Sequence, residues 1–121
     1  MSEIAIQTIK ITTTGGAGVA VGSENTTLIK GFLLDVFLNY DAGAPATTDV
    51  TISDPVFGDL VVKSDNNTDI WIAPRKQTVG VDSADTGLYD LIPIHSYLTI
   101  SVAQADALTD CLVATVRWIT P

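Results

Sequence analysis

The chain contains one histidine and one cysteine, so nucleophilic and metal chemistry have few residues to draw on. His95 and Cys111 could serve as base and nucleophile, but such a pair needs a third, orienting group and an activated thiolate. Nothing in their spacing indicates that arrangement. A metal cluster built on several histidines is excluded within one chain. Because Cys111 opens an apolar segment, we expect a small core or interface residue.

Carboxylates are the most numerous reactive groups, with fourteen acidic residues. Two of them converging in a pocket would suffice for glycoside hydrolysis. Most, however, stand in turn signals, where Asp accepts hydrogen bonds from its own backbone. Asp82, Asp85 and Asp90 share one segment but lack the Asp-x-Asp-x-Asp-Gly pattern and closing Glu of a calcium loop. We predict no enzyme, catalytic residue, resident metal or cofactor, and leave calcium binding by residues 82–90 open.

Trp71 is the side chain best suited to recognition. It lies between Ile70 and Ile72, so in a strand it points away from a core that takes the two isoleucines. Arg75 follows closely, and Trp and Arg dominate binding hot spots. Three interpretations stay open: an interface anchor, a residue buried between two layers, or, with Tyr97, a platform on which a sugar stacks.

Composition bounds the classes of partner. At 121 residues the chain is long enough for one domain, 1–121, and too short for two. Charged residues are only 17% of the total, fewer than the roughly 25% of an average domain. A net charge of -8 argues against nucleic acid and anionic membranes as partners. No secretion signal opens the sequence, and a single cysteine suits synthesis in a reducing host cytoplasm.

The residues that could bind must be positioned by strands, because a two-residue apolar period runs almost throughout. Turn residues divide this pattern into eight or so short strands, and residues 82–89 are predicted to be a polar loop. We predict an all-β fold, a single antiparallel β-sandwich of jelly-roll type. An immunoglobulin-like sandwich is the alternative, although its Cys…Trp…Cys spacing is missing.

One strand, within Thr27–Tyr40, is apolar on nearly both faces. Read with period two, Phe32, Val36 and Tyr40 share a face with the even positions between them, while Leu33 and Phe37 fall on the other. A sandwich strand with one face in water shows one such stripe. We therefore predict that Leu33 and Phe37 meet a cover, either from a second layer of the same chain or from a partner.

The N-terminal residues change their apolar phase partway along. Ile4 and Ile6 share one parity, whereas Ile9 and Ile11 share the other. A bulge would cause this change, and so would an extended arm that leaves one environment for another. We predict that residues 1–13 form an arm or exchanged strand, with Ile4, Ile6 and Ile9 in contact with a partner.

Three blocks carry a resemblance: Asn67–Arg75, Tyr89–Ile94 and Tyr97–Leu108. They resemble the small one-domain β proteins encoded among the structural genes of tailed bacteriophages. Such proteins are described as capsid decoration (cement) proteins or other minor virion components. The resemblance implies attachment to a capsid lattice, often as trimers at threefold positions, and it carries no motif tied to a role.

From residues and resemblance together we expect a virion protein that forms homo-oligomers, with a trimer favoured. The expected partner is the major capsid protein or another virion protein. A tail or head-fibre component and a carbohydrate- or receptor-binding module are the alternatives. The residues predicted to make contacts are Ile4, Ile6, Ile9, Leu33, Phe37, Trp71 and Arg75.

Overall fold

The computed structural model describes residues 2–82 and 84–121. These residues form eleven β-strands, and no helix among them could span a membrane. The strands are β1 (Glu3–Ile11), β2 (Ala20–Asn25), β3 (Ile29–Tyr40), β4 (Asp49–Asp54), β5 (Gly58–Lys63), β6 (Ile70–Ile72), β7 (Lys76–Val79), β8 (Asp85–Asp90), β9 (Ile92–Ser96), β10 (Thr99–Ala105) and β11 (Leu112–Thr120).

Two antiparallel sheets make a sandwich. Sheet 1 has the order β1-β11-β3, and the far side of β3 pairs with β9 along its first half and with β6 along its second. Sheet 2 has the order β2-β10-β4-β5. Within the described part of the chain, the strands β7 and β8 pair only with each other, and they are called the ribbon below. The predicted all-β sandwich is confirmed.

Consecutive strands alternate between the sheets from β1 to β4, and so do β10 and β11. The immunoglobulin-like alternative places its first two strands in one sheet, whereas β1 and β2 belong to different sheets here. The observed alternation suits a double-sheet jelly roll. The jelly-roll type itself stays a prediction.

A single apolar cluster fills the space between the sheets. Sheet 1 contributes fully buried side chains such as Leu38 and Val116, and sheet 2 contributes Ile52, Ile100 and Val102. Burial of such side chains is the main favourable term in folding. The two sheets therefore depend on each other.

A β-bulge explains why β3 is apolar on both faces. Asp35 pairs with Arg117, but the next pair is Leu33 with Trp118, so Leu34 has no partner on β11. The extra residue reverses the parity of the strand. Leu33 therefore points into the core before the bulge, as Val36 and Leu38 do after it, and Phe32 points outward. The prediction that Leu33 points to the face of β3 opposite that of Val36 was wrong.

No bulge interrupts β1, which pairs with β11 in one register from Glu3 to Ile11. Its parity therefore stays constant, and the phase change in its sequence is a change of environment. Ile9 and Ile11 are buried in the core, while Ile4 and Ile6 are exposed. The prediction that Ile9 contacts a partner was wrong, because its own chain buries it. Exchange of residues 1–13 between chains stays a prediction.

The predicted polar loop at 82–89 was also wrong in part, because Asp85–Asp90 forms β8. All six residues of this strand are exposed. It has no apolar face to bury, and so its sequence lacks the alternation from which strands are predicted.

We predict that Gly31→Ala is strongly destabilising. A Cβ at Gly31 would lie 2.1 Å from the backbone carbonyl oxygen of Ile119, and the φ of +156° disfavours side chains. Clash and strain together should lower the free energy of unfolding by about 3 kcal/mol or more, measured by chemical denaturation. Gly18→Ala is the control: its φ is +75° with no atom within 4 Å of the new Cβ, so a loss of about 1 kcal/mol is expected. Equal losses would contradict this account.

A second prediction concerns acid. Buried Asp54 accepts hydrogen bonds from the backbone N–H groups of Val56 and Phe57, at 2.7 and 2.9 Å, and from the Ser96 hydroxyl. Burial alone would raise its pKa, but these hydrogen bonds outweigh burial and lower the pKa below its ordinary value. The stability that Asp54 contributes is therefore fully present above about pH 4 and is lost as the pH falls through the lowered pKa.

Asp54→Asn keeps one acceptor oxygen for the N–H groups of Val56 and Phe57, and its amide NH2 can donate to the Ser96 hydroxyl, but it cannot titrate. We expect its free energy of unfolding, measured by urea denaturation, to fall less than that of the parent between pH 5 and pH 3. Asp65→Asn, at an exposed carboxylate, should leave the pH dependence unchanged. If both variants follow the parent, Asp54 does not carry this effect.

Candidate interaction surface

The side chains of sheet 1 that point away from the core form a continuous surface, called the outer face below. Register and burial assign its members. They are Ile4, Ile6, Thr8, Lys10, Lys30, Phe32, Asp35, Phe37, Asn39, Trp71, Pro93, His95, Val113, Thr115, Arg117 and Ile119.

One apolar row crosses all four strand positions of the outer face. Ile4 of β1 is opposite Ile119 of β11, which is opposite Phe32 of β3, which is opposite Pro93 of β9. Ile4 is 61% exposed and Phe32 43% exposed. Neighbours on one face of a sheet lie within contact distance of each other, so the row presents one apolar strip to solvent.

An aromatic pair lies further along the same face. Phe37 and Trp71 are cross-strand partners with ring centroids 4.6 Å apart and planes tilted by 33°. Aromatic pairs with centroids this close contribute about 0.5–1.5 kcal/mol beyond area burial. Trp71 nevertheless keeps 57% of its surface exposed. The contact with Phe37 therefore positions a largely exposed Trp71 side chain.

Arg117 joins the strip to the aromatic pair. Its guanidinium donates two hydrogen bonds to Asp35, one from Nε to Oδ1 at 2.7 Å and one from Nη2 to Oδ2. The same group lies 5.4 Å from the ring centroid of Trp71, within cation–π range. The hydrogen bond with Asp35 raises the pKa of Arg117 further. The cation is therefore permanent and fixed in orientation.

The outer side of sheet 2 has a different character. Its cross-strand rows consist mainly of Ser, Thr and Asn, and they satisfy one another: the Ser23 and Ser101 hydroxyls are 3.4 Å apart, and Thr99 donates to Asn25. Val62 is the large apolar side chain exposed on β5. Water solvates such a surface well, so the two sides of the sandwich are suited to different surroundings.

The predicted contact residues fall into three groups. Ile4, Ile6, Phe37 and Trp71 lie together on the outer face, whereas Ile9 and Leu33 are buried in the core. Arg75 has a different role, because its Nη1 donates to the carbonyl oxygens of Leu34 and Pro74, both at 2.8 Å. It holds the bulge.

Sequence reasoning missed Phe32, Arg117, Ile119 and Pro93. Arg117 and Ile119 could have been found, because they alternate with the inward residues Val116 and Trp118 of a regular strand. Phe32 could not, because the bulge that turns it outward has no distinct sequence signal.

The residues considered for chemistry are not brought together. Cys111 is buried beside the end of β3, where burial raises the pKa of its thiol, while His95 is exposed opposite Lys30 near the start of β3. Asp82, Asp85 and Asp90 belong to no group of three metal-binding side chains within residues 2–82 and 84–121. Asp82 and Asp90 instead accept hydrogen bonds from the N–H groups of Ala84 and Leu91.

The two aromatic residues considered for sugar binding are also apart. Trp71 is opposite Phe37, and Tyr97 follows Ser96, which is opposite Ile29. Eight residues of strand separate these positions, which corresponds to roughly 26 Å. One or two sugar rings could not stack on both.

Comparisons with known proteins give little further guidance. No protein-family model and no curated protein matches the chain. Among solved structures, the virus-like particle of the extra small virus of the giant freshwater prawn Macrobrachium rosenbergii matches with a TM-score of 0.36 and 12% identity, over 99% of this chain and 80% of that chain. A TM-score of this size carries no argument about shared function.

We predict that Leu33→Ser and Phe37→Ser differ sharply although both replace apolar residues of one strand. Leu33→Ser puts a hydroxyl and a cavity into the core and should cost about 3 kcal/mol or more. Phe37→Ser loses an aromatic contact on the surface and should cost about 1 kcal/mol. Urea denaturation of the two variants measures the difference. Equal destabilisation would mean that the outer face is part of the core.

Proposed function

We propose that this chain is a structural protein of a virion, made to associate with copies of itself and to attach to a phage capsid as a decoration protein. The observation that carries the proposal of association is the outer face. It combines a four-strand apolar strip with the tilted Phe37–Trp71 ring pair and an oriented Arg117.

This composition is that of a protein interface. The centres of interfaces are enriched in aromatic residues and Arg, and a few such residues supply most of the binding energy. Contiguous apolar surface on a folded domain marks an interaction site. The Arg117–Asp35 pair supports the same role, because a guanidinium already paired within the chain can enter an interface without an unpaired charge.

The virion assignment rests on the resemblance of three sequence blocks. One of them, Asn67–Arg75, contains β6 with Trp71, and another, Tyr89–Ile94, contributes Pro93 to the apolar strip. Two of the blocks that carry the resemblance thus include residues of the proposed contact surface. A trimer would give several points of attachment to a lattice, so that modest contacts combine into tight binding.

The nearer alternative is a tail or head-fibre component, which would use the same surface. A carbohydrate-binding module is less well supported, because Trp71 and Tyr97 do not form one platform and the Trp71 ring already contacts Phe37.

We predict that the parent protein associates at micromolar concentration and that Phe32→Ser with Trp71→Ser abolishes association. Loss of two exposed apolar anchors should weaken association at least 100-fold while the fold persists. Sedimentation velocity over a concentration series measures the mass, and circular dichroism checks the fold. Val62→Ser, an equally exposed apolar residue on sheet 2, is the control and should associate like the parent. A parent that stays monomeric would remove the support for the proposal.

Attachment to a capsid has its own test, which is the position of the protein in a reconstruction of the particle that carries it. A decoration protein should appear as density outside the shell at symmetry-related sites. Density confined to the tail or to fibres would favour the alternative.

A further inference from the structure

The ribbon is a second exposed feature, separate from the outer face. In the residues that the structure describes, neither β7 nor β8 pairs with a strand of either sheet. Its own hydrogen bonds hold it together, among them Thr86 Oγ1 to the Thr78 carbonyl at 3.0 Å and Gly80 N to the Ala84 carbonyl at 2.8 Å. Val79, Leu88 and Tyr89 are all more than half exposed.

A ribbon as exposed as this one is expected to pack against another protein surface. A two-stranded hairpin alone in water is at best marginally stable, and a ribbon with both edges free invites pairing or packing. The chain itself does not provide the cover, because all six residues of β8 stay exposed. A covering surface must therefore come from another molecule.

Charge distinguishes among the possible covers. The outer face holds three cationic side chains, Lys10, Lys30 and Arg117, against one carboxylate, Asp35, although the whole chain has six basic and fourteen acidic residues. It is thus a locally cationic surface on a strongly acidic protein. The ribbon carries the opposite balance, with Asp85 and Asp90, and Asp82 in the turn between its strands, against Lys76.

Ribbon and outer face are therefore complementary in two respects. Each exposes apolar side chains, and their net charges are opposite. Two outer faces packed against each other would instead bring cations together.

We infer that the ribbon of one copy lies on the outer face of a second copy, with its acidic side chains near Lys10 and Lys30 of that copy. This inference rests on the proposed self-association and specifies its contact. Because ribbon and face are different surfaces, the contact is head-to-tail. Repetition of such a contact closes into a ring, such as a trimer, when its rotation permits and otherwise continues as a filament.

Charge reversal tests the contact. Lys10→Glu with Lys30→Glu reverses the face, and Asp85→Lys with Asp90→Lys reverses the ribbon; all four positions are exposed. Each double variant alone should raise the dissociation constant at least 10-fold in 50 mM salt, measured by sedimentation velocity. The two variants mixed should associate with each other more tightly than either does with itself, because the face of one then matches the ribbon of the other.

Lys63→Glu, in β5 of sheet 2, with Asp65→Asn just beyond that strand, is the control and should associate like the parent. If association survives both reversals, or if the mixture does no better than the single variants, the contact is overturned. In that case the proposed self-association would still be supported, provided that Phe32→Ser with Trp71→Ser abolished the association that the parent shows. A parent that is monomeric at every concentration would overturn both.

Discussion

The bulge at Leu34 is the constraint on which the rest of sheet 1 depends. Among the strands of residues 2–82 and 84–121, β3 alone pairs with three others, β11, β9 and β6. Because Leu34 is unpaired, Leu33 before it and Val36 after it both point into the core, although the two positions differ in parity. Arg75 stabilises this geometry by donating to the Leu34 carbonyl, and Gly31 permits the Ile119 carbonyl to approach β3 closely. The core is therefore continuous through an irregular strand.

The bulge also determines the composition of the outer face. By reversing the parity of β3, it turns Phe32 outward before the irregularity and Asp35 and Phe37 outward after it. Asp35 then stands opposite Arg117, whose guanidinium reaches both that carboxylate and the Trp71 ring. Without the extra residue, Phe32 would lie on the core side with Val36. The bulge at Leu34 thus keeps the core continuous and also places Phe32 and Phe37 on the same surface as Arg117.

How much of this is accessible from the sequence depends on regularity. The all-β sandwich, the outward direction of Trp71 and the two environments of β1 follow from period-two patterns, because in those segments the backbone is regular. Leu33 was assigned to the wrong face because a bulge arises from backbone packing against Ile119 and Arg75, residues distant in sequence. Ile9 was assigned to a partner because the pattern shows a change of environment without showing which half is inside. β8 was missed because none of its residues is buried.

The distribution of charge suggests why an apolar face can be tolerated. A net charge of -8 makes copies of the chain repel one another in most orientations. The outer face is the exception, because Lys10, Lys30 and Arg117 make it attractive to the acidic remainder of another copy. Charges arranged in this way contribute more to orientation and encounter than to affinity, which the apolar strip supplies. Repulsion elsewhere then disfavours indiscriminate contact between exposed apolar residues of different copies, so that in the proposed association the cationic surface would favour one geometry.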